Sequence, residues 1–340
     1  MPESNPAENQ SSQLSQPHAV TGVPSATAEV PQWQSLDDQW LCRIFLGKQG
    51  LRAGWSIVIF LAMVLLCTAI FMTVGIRYLH LGVIDFHNMR PRPAILQELA
   101  MLLAVLVASL VMTRVEKKPL VSYGLEGRRR ALRFFSGLLC GFAAISVLVG
   151  TMTLCGFLVF EPLHLAGFLA WKYAALWGVE FFLVGLYEES LMRGYLQSAL
   201  ARGIGFWWGA LLLSALFGCV HLSNMGESPV GIFSAAAVGL VFCLSLYYLK
   251  TLWWAIGFHA SWDWGQSYFY GTADSGTVVH GHLLACHPQG YLLWSGGETG
   301  PEGSLLILPL LLLAAALMYL AWGRKKPETT VSPAASNRTA

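Results

Sequence analysis

Residues 181–193 read FFLVGLYEESLMR, and this stretch decides which solvent the chain is built for. An uncharged run leads into two adjacent carboxylates, Glu188 and Glu189, and Arg193 follows four positions after the second. A charged side chain at the centre of a bilayer costs roughly 2.5–3.5 kcal/mol on insertion scales, so those found there are paired, face a cavity and serve a purpose. Glu189 and Arg193 stand at i and i+4, on one helix face, where they can form an ion pair. Glu188 is rotated from Glu189 by about 100° and is left without an intrahelical counter-ion.

The rest of the chain supports a membrane setting. Its 340 residues are 55% hydrophobic and only 12% charged, against roughly a quarter charged in soluble domains. A formal charge of +2 gives no reason to expect nucleic acid as a partner. Residues 1–35 are rich in Ser, Pro, Gln and Ala, contain no Lys or Arg and show no apolar period, which predicts a disordered tail. They also lack the basic start and apolar core of a cleavable signal peptide. The seven cysteines, Cys42, Cys67, Cys140, Cys155, Cys219, Cys243 and Cys286, include no CxxC pair, and most fall in apolar runs. Buried free thiols are expected, not a disulfide framework or a cysteine zinc site.

A helical span needs about 20 apolar residues. Eight candidates occur, at 55–76, 94–113, 134–160, 172–201, 206–222, 230–249, 252–270 and 304–323. With a cytoplasmic N-terminus, eight spans put 17 of the 21 Lys and Arg on the cytoplasmic side and leave Arg77, Arg90, Arg92 and Lys172 on the other. That bias predicts an all-α integral membrane protein of the plasma (cytoplasmic) membrane, with eight transmembrane helices and both termini in the cytoplasm. The lipid bilayer is thus its first partner.

Two further polar groups interrupt the apolar background: Phe217-Gly218-Cys219-Val220-His221 ending the fifth span, and His259-Ala260-Ser261-Trp262-Asp263 in the seventh. Counted from Ile204 in the turn between spans four and five, Glu188 lies 16 residues back and His221 lies 17 forward. In antiparallel helices those positions share a depth, so Glu188 and His221 are expected to face each other. His259 is only 8 residues past Thr251, which predicts a shallower position unless the Gly203-Ile204-Gly205 turn protrudes. His259 and Asp263 are again i and i+4. A carboxylate opposed by one imidazole, with a second nearby, suits the activation of water.

The set E-E-x-x-x-R, F-x-x-x-H and H-x-x-x-N/D on successive hydrophobic spans resembles the CPBP family, over about residues 170–270. These are the CAAX prenyl protease type II, bacteriocin-processing and lysostaphin-resistance-like intramembrane endopeptidases. The resemblance implies that Glu188 activates the attacking water with help from His221. It implies that His259 and Asp263 orient or stabilise the tetrahedral oxyanion, and that Glu189 and Arg193 support the site between spans four, five and seven. The substrate would be a peptide or protein at the membrane, of CAAX type or another kind. Two positions depart from the family pattern. Met192 stands where an aromatic is usual, and Asp263 stands where prenyl-processing members use Asn; an ionised Asp cannot donate to an oxyanion. The resulting organisation is a tail at 1–35, three spans in 36–170, a catalytic core of four spans in 171–272, an extracytoplasmic loop at 273–303, and the last span with a basic, polar tail in 304–340.

A metal-independent glutamate mechanism is expected. The alternative is a zinc triad of Glu188, His221 and His259, although the H-E-x-x-H spacing of zinc peptidases is absent. A transporter, or a resistance or immunity scaffold without proteolytic activity, is the rival reading; a transporter would more often show two related halves. Glu98 and Glu180 are read as secondary polar contacts. His280, His282, Cys286 and His287 are read as part of a solvated loop.

Overall fold

The computed structural model describes residues 44–47, 50–79 and 87–323. The 1–35 tail, Cys42 and the basic C-terminal residues Arg324–Arg338 lie outside the described residues. The chain separates into two units, Met1–Ile44 and Phe45–Ala340, and the second holds every helix named below. In order these are α1 (Ala53–Leu79), α2 (Pro91–Glu116), α3 (Arg130–Leu154), α4 (Gly167–Glu189), α5 (Gln197–Ile204), α6 (Phe206–Val220), α7 (Pro229–Leu249), α8 (Trp253–Asp263) and α9 (Ile307–Met318).

Among the described residues, 6 helical segments are long and apolar enough to cross a membrane. They are α1, α2, α3, the continuous run Gly167–Ile204 through α4 and α5, α6 extended to Ser223, and α7. The other two expected spans coincide with shorter helices: α8 prolonged by a π-helical stretch at Trp264–Phe269, and the segment Ile307–Gly323 containing α9. Outward faces remain strongly apolar, as Leu65, Leu139 and Leu312 show, which is the surface a hydrocarbon solvent would cover.

Glycine determines how closely the central helices approach. A Cβ on Gly137 or Gly141 of α3 would run into the carbonyl oxygens of Trp254 and Phe258 on α8, and one on Gly257 would run into that of Phe134 on α3. On the opposite side, a Cβ on Gly185 of α4 would lie 3.0 Å from the Ile256 oxygen. Helix α8 is therefore held between α3 and α4 at near backbone contact, the close approach that small residues permit in membrane bundles. The G-x-x-x-G spacing of Gly137 and Gly141 is visible in the sequence, but its partner on α8 is not.

The start of α8 corrects one expectation. Leu252 is fully buried, and its N–H donates to the Gly124 carbonyl at 2.8 Å; Trp253 Nε1 donates to the Leu125 carbonyl at 3.1 Å. Gly124, at φ 88°, lies over Leu252, and a side chain there would strike the leucine. The connection before α8 is thus recessed beneath the loop that joins α2 to α3. Counting residues from a turn assumed to lie at the surface set His259 too shallow.

The loop after α8 is solvated in part, with His280 and residues 287–294 exposed, and packed in part. Leu158–Phe160 pairs antiparallel with Cys286–Pro288, in the register Val159 to His287, while Val279, Ala285, Cys286, Thr299 and Ser304 are buried. Of the cysteines described, all are free; Cys243 and Cys286 are buried, whereas Cys140, Cys155 and Cys219 face outward. An apolar run does not reveal whether its thiol meets protein or lipid. Burial pushes the Cys286 thiol up to about 12.

Replacing Gly141 by Leu should part α3 from α8 and lower the unfolding temperature in detergent, by the equivalent of about 1–3 kcal/mol or more for an overpacked contact. Gly150→Ala on the same helix, where a Cβ meets nothing within 4 Å, should cause no loss.

Candidate active site

The paired glutamates close α4, and the chain then widens into a π-helical turn, Ser190–Leu196, before α5 resumes. Such turns occur mostly as single insertions in helices and often at functional sites. Arg193, on this turn, donates through Nη1 to Glu189 Oε1 at 2.9 Å, and both side chains are fully buried. The expected i,i+4 pair is therefore formed. Counting Arg193 among the cytoplasmic charges was an error, since its charge is neutralised inside the protein.

The guanidinium lies 4.4 Å from the ring centre of Phe217 on α6 and 5.6 Å from that of Phe242 on α7. A Cβ on Gly239 would come within 2.6 Å of Arg193 Nη2, so the glycine makes room for the cation.

Glu189 has a second partner that the sequence did not suggest. His259 Nδ1 stands 3.2 Å from the same Oε1 and donates to it, joining α4 to α8. The other ring nitrogen, His259 Nε2, is 3.7 Å from Glu188 Oε2 and 3.6 Å from Asp263 Oδ2. Those separations allow charge attraction but exceed hydrogen-bond length.

His221 begins a short 3₁₀ turn after α6, and its Nδ1 lies 2.7 Å from the Phe217 carbonyl. A carbonyl only accepts, so the proton is on Nδ1 and neutral His221 keeps Nε2 as an acceptor. Phe217 thus fixes His221 through its backbone and supports Arg193 through its ring.

Glu188, His221, His259 and Asp263 line one cavity of about 270 Å³, and Glu189 and Arg193 sit behind its wall. The hairpin expectation is met in that Glu188 and His221 reach the same cavity. The closest imidazole recorded for Glu188 is nevertheless His259, because the recessed start of α8 carries His259 deeper than residue counting allowed.

Other lining residues were missed or underrated. Glu302 accepts from Trp262 Nε1 at 2.8 Å and from Ser275 Oγ at 3.0 Å, tying the loop before α9 to the residue beside Asp263. Asp274 accepts from Ser267 Oγ at 2.9 Å. Burial, with Asp263 and Glu302 nearby, holds the Asp274 carboxyl well above the usual carboxylate range. The only sequence signal for Glu302 was the glycine-rich SGGETGPEG, which suits a tight, packed loop. Glu98 and Glu180 also line the cavity.

His280, His282, Cys286 and His287 do not converge: His280 reaches Asn88, His282 the Leu284 carbonyl, and His287 Glu161. Among the described residues no three His, Cys, Asp or Glu side chains form a group that could hold a metal ion.

Residues 170–265 match the family model of type II CAAX prenyl endopeptidases, Rce1-like. This Rce1-like segment contains Glu188, Glu189, Arg193, His221, His259 and Asp263, so the match supports the resemblance seen in the three motifs. It ends before Asp274 and Glu302, which complete the cavity from outside it. No curated protein and no solved structure matches the chain.

Arg193→Ala would leave Glu189 buried without its guanidinium, and thermal unfolding should report a loss of about 3–5 kcal/mol. The paired replacement Glu189→Gln with Arg193→Met should recover more than half of that loss, because no unpaired charge then remains.

Proposed function

We propose that the chain is an intramembrane endopeptidase of eight spans, with both termini cytoplasmic, hydrolysing a peptide bond in a membrane-associated substrate of CAAX or related type. One observation carries this reading: Glu188, His221, His259 and Asp263, all from the Rce1-like segment and drawn from three helical segments, line a single cavity.

Glu188 is the only member of its ion cluster with substantial side-chain exposure, 28%, and it takes a proton from water as the water oxygen attacks the scissile carbonyl carbon. His221, whose Nδ1 proton is committed to Phe217, accepts from that water through Nε2 and orients it. His259 in its charged form donates through Nδ1 to Glu189 and has no hydrogen-bond acceptor recorded at Nε2, so the Nε2 proton is available to the developing oxyanion. Asp263, with Oδ2 3.6 Å from His259 Nε2, flanks that nitrogen and orients the ring. Collapse of the tetrahedral intermediate breaks the C–N bond, and Glu188 returns its proton to the departing amine.

In nanodiscs, with fluorogenic membrane peptides that include a prenylated CAAX sequence, Glu188→Gln and His221→Ala should each reduce turnover by about 10²-fold or more. Protein yield and unfolding temperature should be unchanged. Asp263→Asn should retain part of the activity. Full turnover by Glu188→Gln would refute the assignment of the base. A chelator should leave the wild-type rate unaltered; loss that zinc restores would replace the glutamate mechanism with a metal one at Glu188, His221 and His259.

A further inference from the structure

The proposed mechanism leaves two of the carboxylates that line the cavity without a task. Glu98 of α2 and Glu180 of α4 both line it. Glu180 is only 2% exposed, and neither its Oε2 nor that of Glu98 has a hydrogen-bond partner among the described residues. Buried polar atoms are normally satisfied, so an orphaned carboxylate oxygen on a residue that lines a cavity signals a missing partner.

The charge around the cavity limits what that partner can be. Six carboxyl groups line it, those of Glu98, Glu180, Glu188, Asp263, Asp274 and Glu302, and no Lys or Arg does so among the described residues. A cation would be attracted. The wall beside Glu98 and Glu180 is apolar, made by Ala94, Phe181 and Val184, with the Gln97 amide at its edge. An apolar wall ending in carboxylates suits a long aliphatic stem carrying a charged head. It does not suit a bare metal ion, for which no donor group assembles.

We propose that Glu98 and Glu180 form a subsite that binds a basic side chain, Lys or Arg, of the peptide being cleaved. This rests on the endopeptidase reading above. Glu180 precedes Glu188 by two helical turns, about 12 Å along α4 at 1.5 Å per residue. The basic side chain's own reach covers part of that distance. The remainder corresponds to about two residues of extended chain at roughly 3.3 Å each, so the basic residue lies about two positions from the scissile bond.

Two measurements on the full chain in nanodiscs test this. The first uses n-hexylammonium, hexanol and hexanoate as probes. Hexylammonium alone should raise the unfolding temperature, and Glu98→Gln with Glu180→Gln should abolish that rise. The second uses matched fluorogenic peptides bearing Lys, norleucine or Glu two positions from the bond. The wild type should prefer Lys to norleucine by about tenfold in kcat/KM and reject Glu. The double variant should lose the Lys preference through a higher KM while cleaving the norleucine peptide as the wild type does, which also shows that it is folded. Either single variant serves if the double variant does not fold. The subsite is refuted if hexylammonium still stabilises the variant, or if the Lys preference is absent or survives the substitutions. If the wild type cleaves no peptide, the endopeptidase reading fails, and the hexylammonium experiment still decides whether the subsite exists.

Discussion

Oε1 of Glu189 receives N–H groups from two directions, from Arg193 on the widened turn after α4 and from His259 on α8. Burying a carboxylate, a guanidinium and an imidazole together is costly unless their geometry satisfies one another, and removing any partner strands the rest. The cost is offset in part by the two bonds to one oxygen and by the Phe217 and Phe242 rings against the guanidinium, while Glu189 Oε2 and Arg193 Nε and Nη2 make no hydrogen bond among the described residues. Because the bond from His259 crosses from α8 to α4, it fixes the ring's orientation and turns Nε2 toward Glu188 and Asp263. The exposed carboxylate does not maintain this arrangement; the buried one beside it does.

That bond can form only because α8 lies close to its neighbours. Gly137 and Gly141 on one side and Gly185 on the other bring the α8 backbone within reach of α3 and α4, and Gly257 is two residues from His259. In hydrocarbon, helices gain little from burying apolar surface, so close packing and internal polar bonds supply the association. Glycine contact and polar bond therefore depend on each other: the first sets the distance and the second rewards it.

Much of this was legible from spacing. The i,i+4 pairs Glu189–Arg193 and His259–Asp263 follow from helical pitch alone, and both occur. The hairpin count correctly brought Glu188 and His221 to one cavity. Three features were hidden for physical reasons. The depth of His259 depended on whether Thr251 and Leu252 reach the surface, and a loop from elsewhere in the chain covers them. The bond from His259 to Glu189 joins residues 70 positions apart, which no local period records. Glu302 lies 40 residues from Trp262, in a loop whose polar composition resembles that of a solvated connection. Outward-facing cysteines were misread because lipid and protein interior select the same residues.

The tie between Glu302, Trp262 and Ser275 sets how the mouth of the cavity can move. Ser275 belongs to the loop after α8, Glu302 to the segment leading into α9, and Trp262 is the immediate neighbour of Asp263. A displacement that swings this loop aside must either break the 2.8 Å bond to the indole or drag the indole with it. Dragging Trp262 moves its neighbour Asp263, whose Oδ2 lies 3.6 Å from His259 Nε2. The position of the loop and the placement of the side chains around Asp263 are therefore coupled through one indole.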